Sequence, residues 1–133
     1  MPTSERILDL IAREPTNEIW AEAICLSDSI QTEGQKIFRL TMETLARARH
    51  KDTIAALSTC LLEHLLQHDF SYFDYMEEKI RGGDDKLLYA FTMCSKFGIS
   101  KLDVNARRWD ALIEANKDRL PSARANIIGS IIE

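Results

Sequence analysis

Apolar residues recur along this chain at helical spacing, and no segment shows the alternation of a half-buried strand. The strongest pattern runs from Asp52 to Ile80. Ile54, Leu57, Leu61 and Leu65, with Leu62 and Leu66 beside them, take the i, i+3, i+4, i+7 positions of an apolar helical face. The spacing predicts a buried helix from Thr53 to Gln67, a short turn, and an aromatic helix from Tyr72 to Arg81. Asp52 is placed to cap the first helix and Ser71 the second, with Asp74 as a capping-box partner. The first helix is apolar over more than one face, which puts this hairpin in the middle of the domain.

The same reading extends in both directions. Thr3 or Ser4 opens a helix that Pro15 stops, with Ile7, Leu8, Leu10 and Ile11 as its stripe. Thr16 or Asn17 opens a second, with Ile19, Trp20, Ala23, Ile24 and Ile30 inward. Thr32 to Gln35 has the form of a capping box and opens a third, ending in Arg47, Arg49, His50 and Lys51, where cations complement the helix dipole. After the central hairpin, Gly82 and Gly83 form a stop. Asp84 or Asp85 caps a sixth helix that carries Leu87, Leu88, Phe91, Met93, Cys94 and Phe97 and closes at Gly98. Ser100 with Asp103 opens a seventh, with Val104, Trp109, Leu112 and Ile113 inward. Pro121 starts an eighth with Ile127, Ile128, Ile131 and Ile132.

Eight helices with short connections predict an all-α fold of stacked antiparallel hairpins. Phe38, Phe73 and Trp109 stand early in three of these helices, at spacings of 35 and 36 residues. Each is followed by an apolar–acid pair: Met42-Glu43, Met76-Glu77, Ile113-Glu114. Cys60 and Cys94 hold matching places in the intervening helices. A period near 35 suits a HEAT-like helical repeat.

A length of 133 residues is that of one domain, spanning 1–133. No apolar run approaches the ~20 residues that cross a bilayer, so no membrane partner is expected. Met1 to Ile11 carries Glu5, Arg6 and Asp9 and reads as no signal peptide, giving a cytoplasmic expectation. The three cysteines, Cys25, Cys60 and Cys94, are odd in number, far apart and set in apolar helices. They read as buried reduced thiols.

Residues Ile19 to Cys94 resemble a bacterial family of small helical domains of unknown function. The resemblance rests on Trp20-Ala21, Leu45-Ala46-Arg47, Ala55-Ala56-Leu57, the run Leu61 to Leu66, and Met76-Glu77. It departs at Cys60-Leu61-Leu62-Glu63, where the family has Gly-Pro-Leu-Glu. The resemblance implies a helical fold and no known activity.

The net charge of -4 is unevenly placed. Between Glu63 and Asp85 stand Glu63, Asp69, Asp74, Glu77, Glu78, Asp84 and Asp85 against Lys79 and Arg81, a local net of -5. With no basic tract, no nucleic-acid partner is expected. Cys60, His64 and His68 share a face at i, i+4, i+8 and form the one metal or enzymatic alternative, with Asp69 nearby. They match neither a CxxC pair nor HExxH, and a thiol on an apolar face is inert. Asp74 and Glu78 are i, i+4 neighbours, as a carboxylate pair for acid–base work would be; a solvated acidic face explains them as well. Gly82-Gly83 precedes acids that would repel phosphate.

The expectation is therefore a non-catalytic interaction protein with no metal and no cofactor. Its partner-binding face comprises Asp69, Tyr72, Asp74, Tyr75, Glu77 and Glu78, tyrosines among carboxylates that suit a basic protein surface. An immunity or antitoxin protein is one concrete form. A homodimer through the helix of Ile127, Ile128, Ile131 and Ile132 is a further expectation.

Overall fold

The computed structural model of the protein describes residues 30–48 and 51–130. These form six helices: α1 Ile30–Arg47, α2 51–68, α3 Tyr72–Arg81, α4 Asp85–Thr92, α5 Asp103–Ala115 and α6 Leu120–Ser130. A 3-10 turn, Gly98–Lys101, precedes α5. No strand occurs among the described residues. The fold is all-α as expected, with six helices where eight were expected. The first two of the eight, with Cys25, lie outside the described residues. So do Arg49, His50, Ile131 and Ile132, and the side chains of Ile127 and Ile128. No helix among the described residues is long and apolar enough to cross a membrane.

The apolar stripes read from the sequence account for the core. Ile54, Leu57, Leu61, Leu62, Leu65 and Leu66 of α2 are all fully enclosed. Burying each such side chain contributes about 1.5–3 kcal/mol, so α2 is the central element, in contact with α1, α3 and α4. Truncating Leu61 to Ala would leave a cavity costing about 2–5 kcal/mol. An aromatic chain runs across the helices. Phe70 stacks on Phe73 at 4.8 Å, Phe73 meets Phe91 at 5.9 Å, and Phe91 meets Trp109 at 4.6 Å.

Neighbouring odd helices touch side by side. Phe38 of α1 lies on α3, and Arg108 of α5 lies on the other flank of α3. Among the even helices, α4 packs against both α2 and α6. Polar links then tie one hairpin to the next. Lys86 at the start of α4 donates to the carbonyls of Ala46 and Ala48, both at 3.1 Å. A distant ammonium thus complements the C-terminus of α1. Its burial lowers its pKa, while Asp84 works the other way. Arg119 bridges Asp85 and the Ile80 carbonyl, each at 2.8 Å.

Several expected boundaries move. The span Ile30–Arg47 is broken at Glu33 (φ -128, ψ 30), within the Thr32–Gln35 stretch expected to open a helix, and Ile30 before the break is buried. Asp52 lies within α2 and not ahead of it. Its middle, Leu57–Leu62, widens into a π-helical stretch, with the Glu63 N–H reaching the Ser58 carbonyl. The Ser58 and Thr59 hydroxyls bond the carbonyls of Ile54 and Ala55 where the widening begins, a competition with the backbone typical of these residues.

α4 ends at Thr92, short of Phe97. The Thr92 hydroxyl donates to the Tyr89 carbonyl at 2.6 Å, and the Ser95 N–H donates to Glu63 at 2.7 Å, so the chain is drawn off the helix axis. Phe97 is consequently exposed rather than inward. Gly98 adopts φ +52, and a Cβ there would lie 2.7 Å from Gln67 Cγ; both facts require glycine. Ser100 does not cap α5. It is buried, the residue before the helix is Leu102 in an extended conformation, and Asn105 Nδ2 holds the turn by donating to the Ile99 carbonyl. Val104 is 72% exposed, contrary to its expected inward place: the buried Trp109 and Leu112 set the roll of α5, and Val104, five residues before Trp109, lies about 140° around the helix from it.

Candidate functional site

The aromatic helix is where the expected partner face lies. Phe73, Met76 and Ile80 are fully buried and fix its roll. Gly82 ends it and Gly83, at φ +107, turns the chain. Asp84 then caps α4, accepting the Leu87 N–H at 3.0 Å. The expected capping box at the start of α3 is absent. Ser71 has helical dihedrals and makes no side-chain cap bond; its own N–H goes to the Asp69 carboxylate at 3.0 Å. Asp69 closes the turn before α3, and the Ser71 hydrogen bonds hold its carboxyl below the usual range.

With the roll fixed, the expected face divides. Tyr72 and Tyr75 point toward α1. Tyr72 stacks on Phe38 at 4.6 Å with an interplanar angle of 18°, and Tyr75 meets the same ring edge-on at 5.5 Å. Desolvation, with Asp69 nearby, pushes the Tyr72 phenol up. Lys79 places its ammonium 5.5 Å from the Tyr75 centroid. Asp74 and Glu77 point the other way. Arg108 of α5 reaches them at 2.8 and 3.2 Å and lies 4.8 Å from the Phe73 ring. Its hydrogen bonds to Asp74 above all, and to Glu77, hold that guanidinium in its charged form. Glu77 also pairs with Arg81 at 3.7 Å. Glu78 lies between the two flanks, exposed, with no ion-pair partner among the described residues.

The acidic pole is thus substantially engaged within the fold. Glu63 holds Ser95, Asp69 holds Ser71, Asp84 caps α4, Asp85 holds Arg119, and Asp74 and Glu77 share Arg108. What faces outward together is Tyr75, 44% exposed, beside Glu78 and the solvent side of Asp74. Sequence reading omitted Phe38, Lys79 and Arg108 from this region. The signal that could have found Arg108 is the repeat spacing, since it stands 34 residues after Asp74.

Cys60, His64 and His68 are not brought to one place. The π-helical widening disturbs their common face: Cys60 is buried, His64 half-buried and His68 exposed. Among the described residues, no three His, Cys, Asp or Glu side chains converge in a way that could hold a metal ion. Burial pushes the Cys60 thiol up. Cys94, half-buried, is raised further by the same cause; its thiol is within hydrogen-bonding reach of the Ser58 and Ala90 carbonyls at 3.4 and 3.6 Å.

No protein-family model, curated protein or solved structure matches the chain.

Proposed function

We propose that the protein is a non-catalytic, cytoplasmic interaction module, a HEAT-like stack of helical hairpins whose α3 face captures a protein with a basic surface. The stack is supported by its cross-links. Arg108 to Asp74 and Arg119 to Asp85 each span 34 residues, Cys94 to Ser58 spans 36, and Glu63 to Ser95 spans 32. Links one period long are what successive repeats would make.

The observation that carries the binding function is Tyr75. A large aromatic side chain stands 44% exposed, braced by Phe38 and Lys79, on the same helix as the exposed Glu78 carboxylate. A rigid amphipathic ring beside an exposed charge is the composition of an interaction hot spot. The neighbouring acids add steering for a cationic partner. Immunity or antitoxin proteins that mask a basic cleft are one class of this kind.

A photo-crosslinking side chain at Tyr75, compared with one at the exposed Lys117, tests the proposal in cells of the source organism. The expected result is one dominant basic protein crosslinked from position 75 and not from position 117. No position-specific product, or an acidic one, would contradict it.

A further inference from the structure

A cavity of about 600 Å³ lies away from α3, between α4 and α6. That is within the ~300–1,000 Å³ range of small-molecule sites. Met93, Leu120 and Ala123 give it an apolar lining, and Tyr89, Thr92 and Arg124 contribute polar groups. The polar groups are not equivalent. The Thr92 hydroxyl is engaged by the Tyr89 carbonyl at 2.6 Å. Tyr89 is 8% exposed, yet its own hydroxyl has no hydrogen-bond partner among the described residues. It is not sealed either: among the described residues the enclosed polar atoms without partners are Ser100 Oγ and Arg119 Nη2. A phenol whose ring is largely enclosed and whose hydroxyl is open and without a partner among the described residues offers a donor to a ligand acceptor in the cavity it lines. Arg124 makes no ion pair with any described residue, and no acid is among the cavity's described lining.

We propose that this cavity is a binding site for an apolar monocarboxylate, an alkyl or aryl acid with one negative charge. The apolar body fills the space beside Met93, Leu120 and Ala123. The carboxylate accepts from the Tyr89 hydroxyl and pairs with the Arg124 guanidinium. A neutral ligand would leave the guanidinium unused, and a cationic one would meet it with like charge. The site is independent of the α3 face, so each stands or falls alone.

Dodecanoate, dodecanol and dodecylamine, titrated into the ¹⁵N-labelled full chain, test it. Dodecanoate is expected to give saturable shifts centred on residues 89–93 and 120–124, with the alcohol weaker and the amine inert. Arg124→Gln, at an exposed position, is expected to weaken dodecanoate about tenfold. Tyr89→Phe keeps the ring and removes only the donor; it is expected to weaken binding about three- to tenfold. Both variants should retain the wild-type spectrum without ligand. The proposal is overturned if dodecanoate gives no saturable shift up to about 1 mM. It is also overturned if the three probes bind alike, or if Arg124→Gln binds dodecanoate as the wild type does.

Discussion

The Arg108 guanidinium lies 2.8 Å from Asp74, a residue 34 positions earlier, and 4.8 Å from the Phe73 ring. One side chain thereby neutralises part of the acidic helix and covers its aromatic anchor. Replacing Arg108 by Ala removes a partly exposed ion pair, worth about 0.2–1 kcal/mol, and a cation–π contact worth about 0.5–1 kcal/mol. The expected loss is about 1–2 kcal/mol in urea unfolding, smaller in high salt. Arg108→Lys is expected to recover part of it, since a single ammonium cannot fork between Asp74 and Glu77.

Gly34 offers a test with two signs. A Cβ there would lie 2.7 Å from Tyr72 Oη, whereas the next ring atom, Cζ, is 3.8 Å away. Gly34→Ala alone is expected to destabilise the protein by about 1 kcal/mol, because the stacked Tyr72 ring resists displacement. In a Tyr72→Phe background the clash disappears. The same substitution should then stabilise by up to about 1 kcal/mol, the normal helical gain of Ala over Gly. A double-mutant cycle by thermal unfolding reads the difference.

The depressed Asp69 carboxyl makes stability pH-dependent in a defined direction. Its folded pKa lies below the unfolded one, so its contribution is present above about pH 4 and is lost as pH falls through the folded value. Asp69→Asn keeps an acceptor for the Ser71 N–H and removes the titration. The variant is expected to lose less stability than the wild type between pH 6 and pH 3, measured by urea unfolding at both.

Both described thiols are expected to be silent in the native state. In a Cys25→Ser background, Cys60 and Cys94 should react with a disulfide reagent at pH 8 only as fast as the chain opens, and fully in denaturant. Burial keeps both protonated, and Cys94 is in addition tied to Ser58 and Ala90. Rapid native labelling would contradict this.

Local pattern made much of this molecule legible. The stripe Phe73, Met76 and Ile80 located α3 from Tyr72 to Arg81, and the cap of α4 was narrowed to Asp84 or Asp85, of which Asp84 takes the Leu87 N–H. What escaped depends on groups distant in sequence. The end of α4 at Thr92 involves Glu63 taking the Ser95 N–H, and no window around Phe97 contains that carboxylate. The widening at Leu57–Leu62 occurs where the Ser58 and Thr59 hydroxyls compete for carbonyls, a choice that periodicity does not register. The candidate face was legible as composition but not as geometry. Tyr72, Asp74, Tyr75, Glu77 and Glu78 were correctly placed on one helix. Only the positions of Phe38 and Arg108 show that its tyrosines and two of its acids point to opposite flanks.

The central claim is that Tyr75 and Glu78 form the capture surface, and these two positions can be altered without disturbing Arg108. The most direct measurement is the affinity of the crosslinked partner for wild type and for Tyr75→Ala/Glu78→Lys, by calorimetry at physiological salt, with thermal unfolding of both as the control. The account predicts a loss of at least about a hundredfold, as for a central hot spot, at unchanged melting temperature. Affinity within twofold of wild type would contradict it.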